Sequence, residues 1–315
     1  MPASNPLFSV IIPTYNRAQK VVRAVESVLA QTFTNFDVWV IDDGSTDDTA
    51  QALTCYEGRI HYCRQKNAGA SSARNRGVRS STGKYIAFLD SDDRWAPQKL
   101  ESMAAEIATH PDTGLFYSAC DVVDEAGARL WIDHSRAVQG SAYLPLLMGN
   151  FLALSSAVAR RDCLERAGEF DPAMIPCEDW DVWLRIARWY SITLVPEVLV
   201  IFEYASADKL TAHTRKWLEA HDKVIEKTLI ADRSIGPGMR QVVQANQAYI
   251  KGRIWMEARD NRKAASWFRD AIKLRPVLFR AYPYYLLCSI PGAQGLLPES
   301  VRRRLRLPAP ERKAG

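Results

Sequence analysis

At 315 residues, 47% hydrophobic and 24% charged, the chain has ample apolar material for one large domain or a domain with an appendage, and its composition is that of a soluble globular protein. The formal charge of +5 does not mark a nucleic-acid binder, because residues 301–315 carry six Lys/Arg against one Glu and residues 1–300 balance at 35 basic and 35 acidic side chains. No run approaches the roughly twenty apolar residues of a membrane span, no signal peptide is visible before Leu7, and six cysteines without a C-x-x-C pair suit reduced thiols in a cytoplasmic protein.

Residues 7–12 (LFSVII) are uninterrupted and rich in β-branched side chains, the pattern of a strand buried on both faces, and Pro13 ends it. Asn16 is placed to cap a helix in which Val21, Val22, Val25, Val28 and Leu29 recur at helical spacing. Residues 36–41 predict a second strand, which runs into an acidic loop at 42–47 and then a helix over 48–55. A third strand is expected at 59–63, a helix opening in the Gly/Ser-rich stretch 67–77, and a fourth strand at 85–89. This alternation predicts an α/β fold with a Rossmann-like, mostly parallel sheet flanked by helices.

Beyond it, residues 97–109 read as helix, 114–122 as strand and 124–127 as a hairpin turn, so antiparallel strands close the sheet here. The pattern continues as helix over 140–150, strand over 154–160, helix over 161–167, an amphipathic helix from 177 to 187, and strands at 192–195 and 198–204. After Lys209 the composition changes to long helices. Ala248, Gly252, Trp255, Ala264, Phe268, Ala271 and Pro276 match the tetratricopeptide consensus over one unit, which cannot bury its face alone.

Asp90, Asp92 and Asp93 follow the fourth strand within four residues, at the strand's carboxyl end, where open α/β sheets bind ligands. Like charges this close raise one another's pKa, and a hard divalent ion removes that penalty while leaving sites for phosphate. The cluster therefore reads as a metal–diphosphate site. The competing reading is a solvated turn in which Asp93 caps the helix that Pro97 opens. Glu178 and Asp179 stand in the first turn of their helix, where the dipole alone favours carboxylates.

Taken together, SVIIPTYNR at 9–17, IDDGS at 41–45, NAG at 67–69 with ARN at 73–75, DSDD at 90–93 and ED at 178–179 resemble the family 2 glycosyltransferases, inverting enzymes with the GT-A fold. The resemblance covers about residues 6–230 and rests on five motifs in the family's order. A dinucleotide-binding Rossmann enzyme is disfavoured, since no G-x-G-x-x-G follows the first strand. A nucleotidyltransferase would need a Gly-rich, basic loop where Pro13-Thr14-Tyr15-Asn16 stands.

The resemblance implies that Pro13, Thr14 and Tyr15 line the base site, with the Tyr15 ring stacking on a pyrimidine and Asp43 accepting an N–H such as uracil's. Asn67, Gly69 and Arg74 would approach the nucleotide and diphosphate, Arg74 pairing with a phosphate or with Asp90. Asp90-Ser91-Asp92 matches the family's D-x-D motif. Asp92 would bind Mn²⁺ or Mg²⁺, Asp90 would face the ribose or the metal, and Asp93 would support the site or cap a helix. Asp179 matches the catalytic base, with Glu178 and Asp181 as acceptor-side alternatives. One departure is that Glu203 and Tyr204 stand where relatives carry a basic residue; Lys209 or His213 would have to substitute.

The expected function is metal-assisted single displacement of a sugar from a nucleoside-diphosphate sugar, a UDP-sugar by preference, to a hydroxyl of a glycan or lipid-linked acceptor. The second reading is a non-catalytic sugar-nucleotide-binding scaffold. The domain expectation is a catalytic domain at 6–230, a tetratricopeptide-like region at 239–290 for a protein partner or self-association, and a disordered basic tail at 301–315. That tail, beside Leu278, Phe279, Tyr282, Tyr284, Tyr285, Leu286 and Leu287, suits peripheral contact with the inner face of the membrane.

Overall fold

The computed structural model describes residues 5–133, 138, 140–204 and 210–290, without the side chains of residues 210–214. The chain divides into two compact units, Met1–Leu146 with Asn150–Ser206, and Leu147–Gly149 with Ala207–Gly315.

In the first unit the apolar run becomes β1 (Phe8–Thr14), all seven residues buried, followed by α1 (Ala18–Leu29), which buries Val21, Ala24, Val25 and Val28. Then come β2 (Phe36–Asp42), α2 (Thr49–Ala52), β3 (His61–Arg64), α3 (Ala70–Ser80) and β4 (Tyr85–Phe88). β1 lies between β2 and β4, and β3 flanks β2, all parallel. In this register Thr14 stands opposite Asp42 and Ile11 opposite Phe88. The segments after β1, β2 and β4 therefore leave the sheet at one edge, the carboxyl edge expected to bind ligands. α3 packs tightly on this sheet: a Cβ on Gly77 would lie 2.5 Å from Ile11 Cγ2.

Past β4 the sheet becomes mixed. β5 (Arg94–Trp95), α4 (Lys99–Thr109), β6 (Leu115–Val123), β7 (Arg129–Asp133), α5 (Tyr143–Leu147), β8 (Val158–Arg160), α6 (Arg161–Ala167), α7 (Glu178–Ala187) and β9 (Ile192–Glu203) follow in order. β8 joins β4 antiparallel, β6 joins β8 antiparallel, β9 runs parallel to β6, and β5 pairs antiparallel with β9. β7 hairpins onto β6 across the expected turn. Phe88 meets Phe170 and Trp183 at ring-centroid distances of 5.2 and 6.0 Å, which locks α7 against the face of β4.

Several boundaries differ from the pattern. α1 begins at Ala18 and Asn16 does not cap it; Asn16 adopts φ 51, and Asp47 Oδ2 from the loop after β2 and Thr49 Oγ1 at the start of α2 accept the N–H groups of Ala18 and Arg17. α4 begins at Lys99, so Asp93 is not its cap either. Only Val158–Arg160 of the expected 154–160 strand pairs, because Leu154–Ser156 forms a 3₁₀ turn whose polar groups serve the acidic cluster. The helix expected over 140–150 shortens to α5, bounded by the positive-φ Gly140 and Gly149. The two strands expected after residue 192 are one, with its register against β6 slipping where Pro196 offers no N–H.

The second unit contains α8 (Leu210–Ala231), α9 (Pro237–Glu257), α10 (Asn261–Leu274) and α11 (Ala281–Ser289). α9 and α10 approach closely, since a Cβ on Gly252 would lie 2.7 Å from Phe268 Cδ1. Phe268 in turn stacks on Tyr284 of α11 at 5.5 Å. Among the described residues no helix is long and apolar enough to cross a membrane.

Candidate active site

Where β1, β2 and β4 end together, a cavity of about 300 Å³ opens. Its walls are Pro13, Thr14 and Tyr15 after β1, Asp43 after β2, Ala70, Ala73 and Arg74 on α3, and Asp90, Ser91 and Asp92 after β4, with Arg17 beside them. Tyr15 is 46% exposed, which leaves its ring open to stacking. Thr14 is buried, and its hydroxyl has no partner among the described residues, a polar atom that a ligand at this wall can satisfy.

Asp43 organises the loop that follows β3. Its Oδ1 accepts Gln65 Nε2 at 2.7 Å and the Ala68 N–H at 2.9 Å, and its Oδ2 accepts the Gly69 N–H at 2.7 Å. Gly69 has φ 87, a conformation that an L side chain adopts only with strain, and it leads directly into α3. Asn67 is exposed; neither it nor Gly69 lines the cavity. Asp42, the other half of the acidic pair, faces away from that wall and accepts Tyr62 Oη at 2.6 Å and the Ser45 N–H at 2.8 Å.

Arg74 connects the two acidic regions that sequence spacing leaves almost ninety residues apart. Its Nη2 donates to Asp90 Oδ1 and its Nη1 to Glu178 Oε1, each at 2.7 Å. Burial works against the Arg74 charge, but Asp90 and Glu178 more than offset it and hold the guanidinium firmly protonated. One planar fork thus ties the segment after β4 to the first turn of α7, a geometry an ammonium cannot supply.

The three carboxylates after β4 are not equivalent. They offer ligand oxygens within 4.8 Å of one another. Asp90 and Asp92 keep side-chain exposures of 30% and 25% and face the cavity. Asp93 is buried, accepting the Ser155 hydroxyl at 2.5 Å and the Glu203 N–H at 3.0 Å. Burial and then the Asp90 charge raise its pKa well above the ordinary carboxylate range, against the lowering bonds from Ser155 and Glu203. Burial, and next Asp90, also raise Asp92, which Arg17 opposes. A set of hard oxygen donors whose charge is disfavoured as it stands is consistent with a divalent cation, which the cavity-facing Asp90 and Asp92 could hold.

Asp179, which does not line the cavity, is largely enclosed at the start of α7. Its Oδ1 accepts the Trp180 N–H at 2.7 Å and its Oδ2 accepts Asn150 Nδ2 at 3.1 Å. Burial first, then the neighbouring Glu178, push its carboxyl up to about 7, against smaller opposing effects of the Trp180 N–H, Arg74 and Asn150. A carboxyl held near neutrality is suited to taking a proton. Asp181 is buried and paired with Arg185 at 2.8 Å, and Arg185 Nη2 donates to the Glu169 carbonyl. Its visible partner belongs to the scaffold of α7 and the loop before it.

Sequence pattern alone did not single out Arg17, Ser155, Asn150 or Gln65 as site residues. Ser155 accepts the Asp90 N–H at 3.0 Å through the same hydroxyl that serves Asp93; its one legible signal was a polar pair inside an apolar run. Glu203 binds Lys20 and Arg23 of α1, and Tyr204 packs edge-on to Trp131 at 5.4 Å. Lys209, the side chain of His213 and the tail at 301–315 lie outside the described residues.

Residues 9–150 match the family model described as Glycosyl transferase family 2. Over that span the chain is similar to the family 2 glycosyltransferases. An uncharacterized glycosyltransferase of Rickettsia felis is 33% identical over 186 residues, covering 58% of this chain, and the chain spans only 31% of that relative's length. Among solved structures, residues 1–349 of S. aureus TarS in complex with UDP-GlcNAc are similar with a TM-score of 0.62 at 17% identity, covering 95% of this chain and 92% of that one. The mannosyltransferase PcManGT of Pyrobaculum calidifontis, in complex with GDP-Man and Mn²⁺, is similar with a TM-score of 0.60 at 18% identity, covering 93% and 86%. These likenesses show a shared GT-A fold, with a helical region following the α/β sheet.

Proposed function

We propose that the chain is an inverting glycosyltransferase that moves a sugar from a nucleoside-diphosphate sugar to a hydroxyl of a glycan or lipid-linked acceptor. The observation that carries this reading is the Arg74 bridge, which brings the acidic donor wall at Asp90 next to the helix start bearing Asp179. A donor half and a base half of one reaction are thereby joined by a single side chain.

In this reading Tyr15 stacks on the base, and Pro13, Thr14 and Asp43 shape its pocket. The nucleotide most compatible with an aromatic face and a carboxylate acceptor is UDP, whose uracil presents an N–H. Asp92 and Asp90 would hold Mn²⁺ or Mg²⁺, which when bound supplies positive charge against the diphosphate. Asp179 takes the proton of the acceptor hydroxyl as that oxygen attacks the anomeric carbon; the bond from the anomeric carbon to the diphosphate breaks on the opposite face, and the configuration inverts. Burial, and next the charge of Glu178 held by Arg74, keep Asp179 protonatable near neutral pH.

For the second unit, the close α9–α10 hairpin built on Gly252 and Phe268 supports one tetratricopeptide-like element for a protein partner or self-association. Exposed Phe279, Leu286 and Ile290 support peripheral membrane contact near a lipid-linked acceptor.

The deciding experiment is hydrolysis and transfer screened across UDP-, GDP-, TDP- and CMP-sugars with Mn²⁺ and with chelator. One nucleotide class is expected to turn over, and chelation is expected to abolish it. Turnover indifferent to chelation would remove the metal from the mechanism, and no turnover of any donor with a full acceptor panel would favour a binding protein.

A further inference from the structure

Building on the donor site proposed above, we propose that Arg17 is an exchangeable counter-ion, which competes with a divalent cation for Asp92 and, once displaced, becomes the protein's cation on the donor diphosphate. Arg17 Nη1 lies 2.8 Å from Asp92 Oδ2 and 3.5 Å from Ser91 Oγ, so the guanidinium stands on the carboxylate assigned to the metal. A divalent ion coordinated by Asp92 and the guanidinium repel each other at such short range. They are therefore alternatives at one carboxylate.

Arg17 is also the cavity cation able to move. Its side chain is 44% exposed, whereas that of Arg74 is 6% exposed and clamped between Asp90 and Glu178. The Arg17 backbone is anchored independently, its N–H donating to Thr49 Oγ1 at 3.3 Å and its carbonyl accepting the Val21 N–H at 2.9 Å. A long side chain on a fixed backbone can thus leave Asp92 without disturbing the start of α1.

The surroundings leave a vacant role for it. The end of β9 brings an anion, Glu203, toward this edge, and Glu203 pairs with the next two cations of α1, Lys20 and Arg23. Arg64 is committed to the Ser45 carbonyl and stands 3.8 Å from Asp42. Of the described cations, Arg17 alone combines a place in the cavity wall with a single exposed ion pair. A guanidinium released there meets a diphosphate with charge-assisted, bidentate hydrogen bonds.

The test uses the full chain and two probes, Mn²⁺ alone followed by electron paramagnetic resonance, and UDP or GDP titrated at saturating Mn²⁺. Arg17→Gln is expected to bind Mn²⁺ alone about two- to fivefold more tightly, the scale of an exposed ion pair removed from competition. The same variant is expected to bind the nucleotide about tenfold more weakly. Arg17→Lys, which keeps the charge, should hold Mn²⁺ affinity near wild type and recover part of the nucleotide affinity. Arg17→Gln is scored once its thermal unfolding matches wild type, so that a gain in metal affinity reports the folded site. Unchanged or weaker Mn²⁺ binding by Arg17→Gln, in a protein whose wild type binds both probes, overturns the exchange and leaves the donor site standing. A wild type that binds neither probe overturns the donor site and this inference with it.

Discussion

Replacing Asp179 with Asn preserves the side chain's shape while removing its charge and its basicity. In the folded protein, burial and then Glu178 lift this carboxyl from 3.8 to about 7. A shift of that size corresponds to about 4 kcal/mol between the two protonation states, a ceiling that the group's solvent-facing edge reduces to about 2 kcal/mol. Because the folded value lies above the unfolded one, the associated stability is fully present below about pH 4 and is lost as pH rises through about 7. Asn carries no such penalty. Asp179→Asn should therefore match the wild type in urea titrations near pH 4 and exceed it by about 2 kcal/mol at pH 8. Sugar transfer should fall about 10²- to 10⁴-fold while nucleotide affinity stays within a few-fold. In the wild type, kcat/KM should rise with pH and level off above about 7, where the base of the free enzyme is ionised. Turnover of the variant within a few-fold of wild type would refute Asp179 as the base, and a stability difference that does not grow with pH would refute the raised pKa.

Arg74→Gln should destabilise by about 3–5 kcal/mol in urea titration, because it leaves Asp90 and Glu178 without their shared cation; Arg74→Lys should restore only part of this, since an ammonium cannot span both carboxylates as the fork does. Gly252→Ala should cost about 1–3 kcal/mol, despite the better helix propensity of Ala, because its Cβ would lie 2.7 Å from Phe268 Cδ1; the readout is thermal unfolding. Phe279→Glu combined with Leu286→Glu should abolish co-flotation with anionic liposomes at low salt, both side chains being more than half exposed; flotation equal to wild type would sink the membrane proposal.

The β-branched run at 8–12 could only be a buried strand, and the alternation after it implied a sheet whose loops meet at one edge. Local pattern was enough for that because side-chain burial repeats with the geometry of the backbone. The same pattern misplaced what depends on distant partners. Asn16 has a capping side chain, but Asp47 and Thr49, about thirty residues on in the chain, accept the N–H groups at the start of α1 in its stead. Residues 154–156 have strand composition, yet they turn because Ser155 is bonded to Asp90 and Asp93, more than sixty residues away in sequence. Motif order placed Asp43, Asp90, Asp92 and Asp179 as candidates and set Asp92 and Asp90 apart from Asp93, and the inward turn of Asp93 onto Ser155 and the Glu203 N–H came only with its burial and hydrogen bonds.

By itself, then, the sequence determined the α/β architecture, the sheet edge at which the loops meet and the acidic groups available there, because each follows from periodicity and local composition. The tertiary structure decided which groups act together: Arg74 joining Asp90 to Glu178, Asp93 turned inward, Asp179 raised by burial, and Arg17 resting on Asp92. Those are through-space electrostatic relations between residues far apart in the chain, and Coulomb interactions depend on distance and solvent exclusion, neither of which is written in sequence spacing.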